Sequence, residues 1–272
     1  MKAIPCGVCK EANSSHDLSE VFGEIRGIYF DLDDTLCNYW HAARTGLRLT
    51  FEKFPIENYT LEEVMDVWAS TYREFCYSIK TTHWYDIYLK CGESTRIEQM
   101  RLTLAELGIE DISLAKEMST YYNQQRMKAL ELFHDAEQVL GVLSQKFSLG
   151  IITNGPLDVQ RAEIEKLELH RYVRHVFIEG EFGKGKPHES IFREAQGSMG
   201  LASGQILMVG NSFDHDVLPA MRCGWKSIWV SRETDVPPSA GKDAKPFEIP
   251  QGLPKPHAII RDLSELLTLL PA

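Results

Sequence analysis

The sequence predicts an α/β fold: a parallel sheet with helices on both faces, interrupted early by a block of helices. Three observations carry this. Short apolar runs rich in Val, Ile and Phe recur at 27–31, 148–153, 175–178, 205–210, 226–230 and 258–260, which is the composition of strands covered on both sides. Amphipathic stretches lie between most of these runs. Such alternation favours parallel strands joined by helical crossovers. The interval 38–135 breaks the rhythm, with no convincing strand and several helical patterns.

Taken in order, residues 1–20 lack an apolar core of the kind a signal peptide needs and read as a tail. They carry Cys6-Gly-Val-Cys9 with His16 downstream. That is half of a zinc site by spacing, with no second pair at a standard interval. The strand at 27–31 comes next. Helical patterns then fall at 39–54, 61–79, 95–107 and 114–133. Leu61, Val64, Met65 and Trp68 recur at helical spacing, and Met100, Leu102, Leu104 and Leu107 do so more loosely. Such stripes build a core. Pro55 and the stretches 92–94 and 108–113 separate the helices. After the second strand come helices at 157–167, 189–199, 214–223 and 263–270, with a Pro-rich loop over 235–256. The expected organisation is a tail (1–20), a core from 21–37 and 136–272, and an inserted helical domain at 38–135.

Composition narrows the function. The chain has 272 residues, 43% hydrophobic and 25% charged, in the range of a globular protein with a large core. A net charge of −10 argues against nucleic acid or an anionic membrane as the main partner, while leaving room for a small anion in a locally positive site. No apolar stretch approaches the roughly 20 residues of a membrane span. The six cysteines are expected to be reduced thiols, and the protein cytoplasmic.

The first strand ends in Asp31-Leu-Asp33-Asp34-Thr35. Burying two unpartnered carboxylates costs several kcal/mol, roughly, so the pair is expected to emerge at the strand's C-terminal edge. Ligands bind at that edge in open α/β sheets. Two-residue spacing puts both side chains on one side, where one carboxylate can attack as a nucleophile while the other moves a proton. The plainer alternative is an Asx turn that closes a strand. Three further segments end or follow apolar strands. Thr153-Asn154-Gly155 offers a hydroxyl and backbone N–H groups that can cradle a phosphate. Gly183-Lys184-Gly185-Lys186-Pro187 places two cations before a helix. Gly210-Asn211-Ser212-Phe213-Asp214-His215-Asp216 ends another strand in polar and acidic residues. Alone, Thr153 is also readable as a strand-end hydroxyl and Lys186 as an exposed loop lysine. In one parallel sheet, however, these strand ends converge on one edge.

Together the segments resemble the haloacid dehalogenase superfamily of aspartate-nucleophile hydrolases. Asp31-Leu-Asp33-Asp34-Thr35 is similar to its first motif, Thr153 to its second, Lys186-Pro187 to its third and Gly210–Asp216 to its fourth. The resemblance covers all but about the first 20 residues. The stretch from Thr153–Gln160 through Gly185–Phe192 is similar to one branch, that of N-acylneuraminate-9-phosphatase-like and pyrimidine nucleotidase-like phosphatases. The resemblance implies a Rossmann-like sheet with a four-helix cap of the C1 group over 38–135. It also implies a Mg²⁺-dependent phosphatase of small phosphate monoesters, of the sugar phosphate or nucleotide class, working through an aspartyl-phosphate. In that scheme Asp31 attacks and Asp33 is the acid and base. Thr153, Asn154 and Gly155 hold phosphoryl oxygens, and Lys186 neutralises charge. Mg²⁺ takes Asp31, the Asp33 carbonyl, Asn211 and Asp216. The chain departs from the pattern at Asn211, where an aspartate is usual. Asp214 is a possible substitute ligand, and Lys184 reads as a solvated charge.

Other readings remain. A dehalogenase would lack Asp33. A phosphomutase shares the aspartate pair without a positive sign here. A non-catalytic ligand-binding protein has only Asn211 in its favour. The substrate is expected to be a small phosphorylated metabolite that the motifs do not name. Arg96, Arg101, Arg126 and Lys128 are cations available to an anionic substrate, although helix-surface pairs are the commoner use.

Overall fold

The computed structural model describes residues 21–232, 234–240, 249 and 252–270. The predicted tail with Cys6 and Cys9, and part of the 235–256 loop, lie outside the described residues. Six parallel strands form one sheet: β1 (Gly27–Phe30), β2 (Ser148–Thr153), β3 (His175–Ile178), β4 (Ile206–Gly210), β5 (Lys226–Val230) and β6 (Ala258–Ile260). Their order is β3-β2-β1-β4-β5-β6. After β1 the chain builds outward to β3 on one side, then crosses back to β4 and builds outward on the other. The point where the direction reverses is the C-terminal end of β1, a natural ligand crevice.

The apolar runs are continuous because both faces of the sheet are covered. Ile28 and Phe30 point to one face, where Leu149, Ile151, Leu207, Val209 and Ile228 join them. Tyr29, between them in the pleat, points to the other face with Ile152, Ile206 and Met208, against Phe192 and Trp225. Tyr29 lies over Gly150. A Cβ there would come within 2.3 Å of the ring, so only glycine lets β1 and β2 stay paired.

Six helices separate β1 from β2, and the first five form a block: α1 (Tyr39–Lys53), α2 (Leu61–Ile79), α3 (Trp84–Lys90), α4 (Gly92–Glu106) and α5 (Ile112–Ala129). The α2 helix starts at a capping box. Thr60 Oγ1 accepts from the Glu63 N–H, and Glu63 accepts from the Thr60 N–H at 2.8 Å. The predicted stripes do meet in a core. Val64 and Trp68 pack with Leu47, Phe51, Met100, Leu104, Met118 and Tyr122. The α3 helix was not expected from the sequence. It buries none of its residues fully, so it carries no apolar stripe to read.

The predicted helix over 114–133 stops at Ala129, because the returning chain finds better partners. Asn38 N–H donates to Glu131 O at 3.0 Å, and Phe133 N–H donates to Leu36 O at 2.9 Å. The two connections between the helices and the sheet thus run paired. Next come α6 (Ala136–Leu143), α7 (Leu157–Lys166), the single turn α8 (Glu179–Phe182), α9 (Glu189–Met199), α10 (Leu218–Arg222) and α11 (Leu266–Leu269). The predicted helix at 214–223 begins instead as a π turn over Phe213–Val217, pinned by Ser212, whose hydroxyl accepts from the His215 N–H. Among the described residues no helix is long and apolar enough to cross a membrane.

Candidate active site

The expected convergence occurs at the C-terminal end of β1. Asp31 N–H continues the ladder by donating to Val209 O at 2.9 Å. The chain then turns tightly. Asp34 adopts φ +58°, and its N–H donates to Cys37 O at 2.9 Å. The Asp34 carboxylate accepts the Trp40 N–H at 3.0 Å and so holds the start of α1. Burial pushes the Asp34 carboxyl up to about 8.

Lys186 is the hub. It is 2% exposed, and its Nζ donates to Asp31 Oδ1 at 2.6 Å and to Asp216 Oδ1 at 2.5 Å. Burial alone would lower its pKa, but the two carboxylates outweigh burial and hold it charged. The loop that carries Lys186 is clamped by one side chain. Asn154 Nδ2 donates to Lys186 O, and Asn154 Oδ1 accepts from the Lys186 N–H, both at 2.7 Å. Asp216 Oδ2 accepts the Ser212 N–H at 2.9 Å, so both of its oxygens are engaged. Burial raises its carboxyl to about 7 against the pull of Lys186. The approach is close enough to require glycine at 210, since a Cβ there would sit 2.4 Å from Asp216 Oδ2.

Asp33 lies beside this hub, half-buried on the wall of a cavity. Burial first, then the charges of Glu163, Asp31 and Asp34, lift its carboxyl well above the usual range. A carboxyl whose neutral form is favoured in this way is suited to giving up a proton. Gln160 holds it in place. Gln160 Nε2 donates to Asp33 Oδ2 at 3.2 Å and to Glu163 Oε2 at 3.2 Å, while Gln160 Oε1 accepts the Thr153 hydroxyl at 2.6 Å. Gln160 was not singled out from the sequence. Its signal was its place on α7, two turns after Thr153 and inside the stretch that carries the resemblance.

Two sequence expectations change here. The Gly155 N–H does not stand free for a phosphate, because it donates to Glu179 Oε2 at 3.2 Å. Asn154 acts through its side chain on Lys186, as above. Of the motif-four candidates, Asp214 stands exposed. Asn211 faces the cluster: its N–H donates to Thr35 Oγ1 at 3.0 Å. That hydroxyl in turn donates to Asp31 Oδ2 at 3.0 Å and to Asn211 Oδ1 at 3.3 Å. Asn211 Nδ2 donates to Asp235 Oδ2 at 2.8 Å. Asp235 therefore selects which end of the amide faces Thr35 beside Asp31, and it is the oxygen. The sequence concealed Asp235 in a Pro-rich loop.

Buried polar ties join the helical block to the sheet. Arg126 of α5 and Glu163 of α7 form an ion pair, 2% and 0% exposed. Glu179 accepts from Lys80 Nζ at 3.1 Å and from Tyr85 Oη at 2.9 Å. Arg126→Met is expected to cost about 3 kcal/mol, because it leaves Glu163 buried without a cation. Arg126→Met with Glu163→Leu is expected to cost less than either single change in urea unfolding. A single-mutant loss below about 1 kcal/mol would show the pair to be solvated.

Above Asp33 opens a cavity of about 490 Å³ between the helices and the strand ends. Trp40, Trp68, Tyr72 and Tyr88 form its walls, and Arg96, Arg126 and Lys80 bring positive charge. Of the other cations singled out, Arg101 pairs with Glu98 at 2.8 Å, and Lys128 and Lys184 are exposed.

The sequence profile described as haloacid dehalogenase-like hydrolase matches residues 28–230. The chain belongs to this family. As a member it is similar to N-acylneuraminate-9-phosphatase of Rattus norvegicus, 25% identical over 252 residues, covering 90% of this chain and 94% of that protein. It is also similar to glyceraldehyde 3-phosphate phosphatase of Methanothermobacter thermautotrophicus, 26% identical over 210 residues, covering 77% and 87%. Among solved structures, the HAD-hydrolase YfnB from Bacillus subtilis, bound to magnesium, superposes with a TM-score of 0.67 at 22% identity, covering 91% of this chain and 99% of that one. L-2-haloacid dehalogenase from Xanthobacter autotrophicus gives 0.64 at 21%, covering 89% and 96%. At these identities the structures establish the fold, a Rossmann-like α/β sheet.

Proposed function

We propose that the chain is a Mg²⁺-dependent phosphatase of small phosphate monoesters, working through an aspartyl-phosphate. The observation that carries this is the pairing of two unlike carboxyls at the end of β1. Asp31 accepts a hydrogen bond from the Lys186 ammonium at 2.6 Å. Asp33, two residues on, is pushed toward the protonated form. Two such groups divide the work of nucleophile and acid. The phosphatase names of the relatives in the family point the same way.

In this reading Asp31 Oδ attacks phosphorus, the P–O bond to the alcohol breaks, and Asp33 gives its proton to the departing oxygen. Asp33, now a carboxylate, takes a proton from water, which attacks the aspartyl-phosphate and frees Asp31 and inorganic phosphate. Lys186 offsets charge on the phosphoryl oxygens. Thr153 exchanges its Gln160 acceptor for one of those oxygens. Asp216 and Asn154 hold Lys186 in place.

The donor set fits Mg²⁺, which prefers hard oxygens. Asp31, the Asp33 carbonyl and Asn211 Oδ1 would hold it, with Asp216 acting through water. The ion would neutralise phosphoryl charge and draw the ester toward Asp31. The residues 38–135 serve as the cap domain that covers the site and excludes bulk water. The substrate is a small phosphorylated metabolite, and the setting is cytoplasmic.

The test is hydrolysis of 4-nitrophenyl phosphate with Mg²⁺ and with excess EDTA. Turnover that depends on Mg²⁺ is expected, and its absence in a folded preparation would overturn the reading. The same titration examines Asn211. Its amide brings no charge, and Asp235 restores one within hydrogen-bond distance. Asp235→Asn is therefore expected to raise the half-saturating Mg²⁺ about tenfold, by loss of about 1.4 kcal/mol of attraction. Asn211→Asp alone sets two carboxylates against each other, so only the exchange Asn211→Asp with Asp235→Asn is expected to restore tight binding. A calorimetric Mg²⁺ titration unmoved by Asp235→Asn would remove Asp235 from the site.

A further inference from the structure

Two buried polar atoms in the cavity have no partner. Arg96 Nε is shut off from solvent and finds no acceptor among the described residues. Gln99 Oε1 is likewise buried and finds no donor, although Gln99 Nε2 is anchored to Thr71 Oγ1 at 2.9 Å. The two residues are three apart on α4, hence on one face of the helix, and both line the cavity. Buried donors and acceptors are almost always satisfied, and exceptions call for an explanation.

The neighbouring Arg126 has Glu163, but Arg96 forms no ion pair among the described residues. Burial, and then the Arg126 charge, pull the Arg96 pKa down against the opposing pull of Tyr122, Tyr39 and Asp158. A guanidinium whose Nε is buried without an acceptor is costly, and an anion entering the cavity would relieve that cost. The phosphoryl end is already served by Lys186 and the Asp31 carboxylate. Arg96 is acted on instead by Arg126, Tyr122, Tyr39 and Asp158 and itself acts on Glu163, none of which belongs to the Asp31–Lys186–Asp216 cluster.

We propose that the substrate is a phosphate monoester whose far end carries a second anionic group, a carboxylate or a phosphate, held by the Arg96 guanidinium. The proposal rests on the phosphatase reading above for the orientation of the ester. Phosphate enters toward Asp31, the body of the molecule lies between the aromatic walls, and the second anion meets Arg96. Gln99 Oε1 then accepts from a hydroxyl or amide beside that anion.

The experiment compares phenyl phosphate, 4-carboxyphenyl phosphate and 1,4-phenylene bisphosphate in the full chain with Mg²⁺, for wild type, Arg96→Gln and Arg96→Lys. It also measures binding of phenylphosphonate and 4-carboxyphenylphosphonate by calorimetry. One or both doubly anionic esters are expected to exceed phenyl phosphate in kcat/KM by about tenfold to a hundredfold, the worth of a charge-assisted hydrogen bond. Which one does so identifies carboxylate or phosphate. Arg96→Gln is expected to erase the preference, and Arg96→Lys to keep part of it. Because Arg96 has no partner to lose, Arg96→Gln is expected to hold or raise Tm. A preference unchanged in Arg96→Gln overturns the proposal. So does an equal loss for all three esters, which would place Arg96 on the transferred phosphate, and so does a fall in Tm, which would reveal an internal partner. If no ester is hydrolysed but the carboxyphosphonate binds tighter in an Arg96-dependent way, the anion site stands and the phosphatase reading falls. Hydrolysis with no Arg96-dependent preference leaves that reading standing and removes the anion site.

Discussion

Asp31→Asn is expected to reduce turnover by about four decades or more, the scale of losing a covalent nucleophile. The change is nearly isosteric. The Asn oxygen can still accept from Lys186, which also keeps Asp216 at 2.5 Å. Thr35 retains Asn211 as a partner. The site should therefore keep its shape, and a phosphate mimic such as vanadate should still bind. Rapid-quench trapping should find acid-stable radiolabel on the wild-type chain and none on the variant. Residual turnover within about a hundredfold of wild type, in a preparation free of deamidation and of host phosphatase, would move the nucleophile elsewhere.

The second large effect is at Asp33, and it depends on the leaving group. Asp33→Asn is expected to slow hydrolysis of an alkyl phosphate by about two to four decades, because an alkoxide leaves poorly without a proton. The 4-nitrophenolate leaves without help, so its first step should lose about tenfold or less. Single-turnover burst kinetics separates the steps. The burst with 4-nitrophenyl phosphate should persist, followed by slow hydrolysis of the aspartyl-phosphate, since that step also needs Asp33. Equal losses in the first step for both esters would exclude Asp33 as the acid. Gln160→Ala offers a milder control, because it removes the donor at 3.2 Å from Asp33 while leaving its carboxyl in place.

Much of this architecture was legible in the sequence because the sheet is covered on both faces. Each strand had to be a continuous apolar run, and a run that ends on carboxylates, a hydroxyl or a lysine shows where the chain leaves the core. Asp31, Asp33, Thr153, Lys186, Asn211 and Asp216 stood at such ends, and the structure brings them together. What escaped notice was of two kinds. The short helix Trp84–Lys90 buries no full residue and so writes no apolar stripe, and Ala136–Leu143 buries Ala136, Val139, Leu140 and Leu143 at helical spacing but over only two turns. The supporting polar residues escaped for another reason. Gln160, Glu163 and Glu179 are buried but sit in segments that look like amphipathic helix surface or loop. Their burial follows from the helical block settling over the strand ends, a long-range event that no local spacing records. Gly155 shows the converse. Its turn was legible, but the carboxylate that occupies its N–H comes from the end of β3.

The ties across that junction bear on how such enzymes are recombined. A helical block between two strands invites transplantation, with residues 38–135 as the exchanged segment. Arg126, Lys80 and Tyr85 travel with that segment, but their acceptors, Glu163 and Glu179, stay with the recipient. A donor segment without matching cations would strand two acidic groups in a dry seam. A donor segment with cations placed one turn away would do the same. The heritable unit is therefore the helical block together with two acidic positions, 28 and 44 residues beyond residue 135. Chimeras cut at the apparent boundaries should fold poorly until those two positions are co-transferred or made apolar.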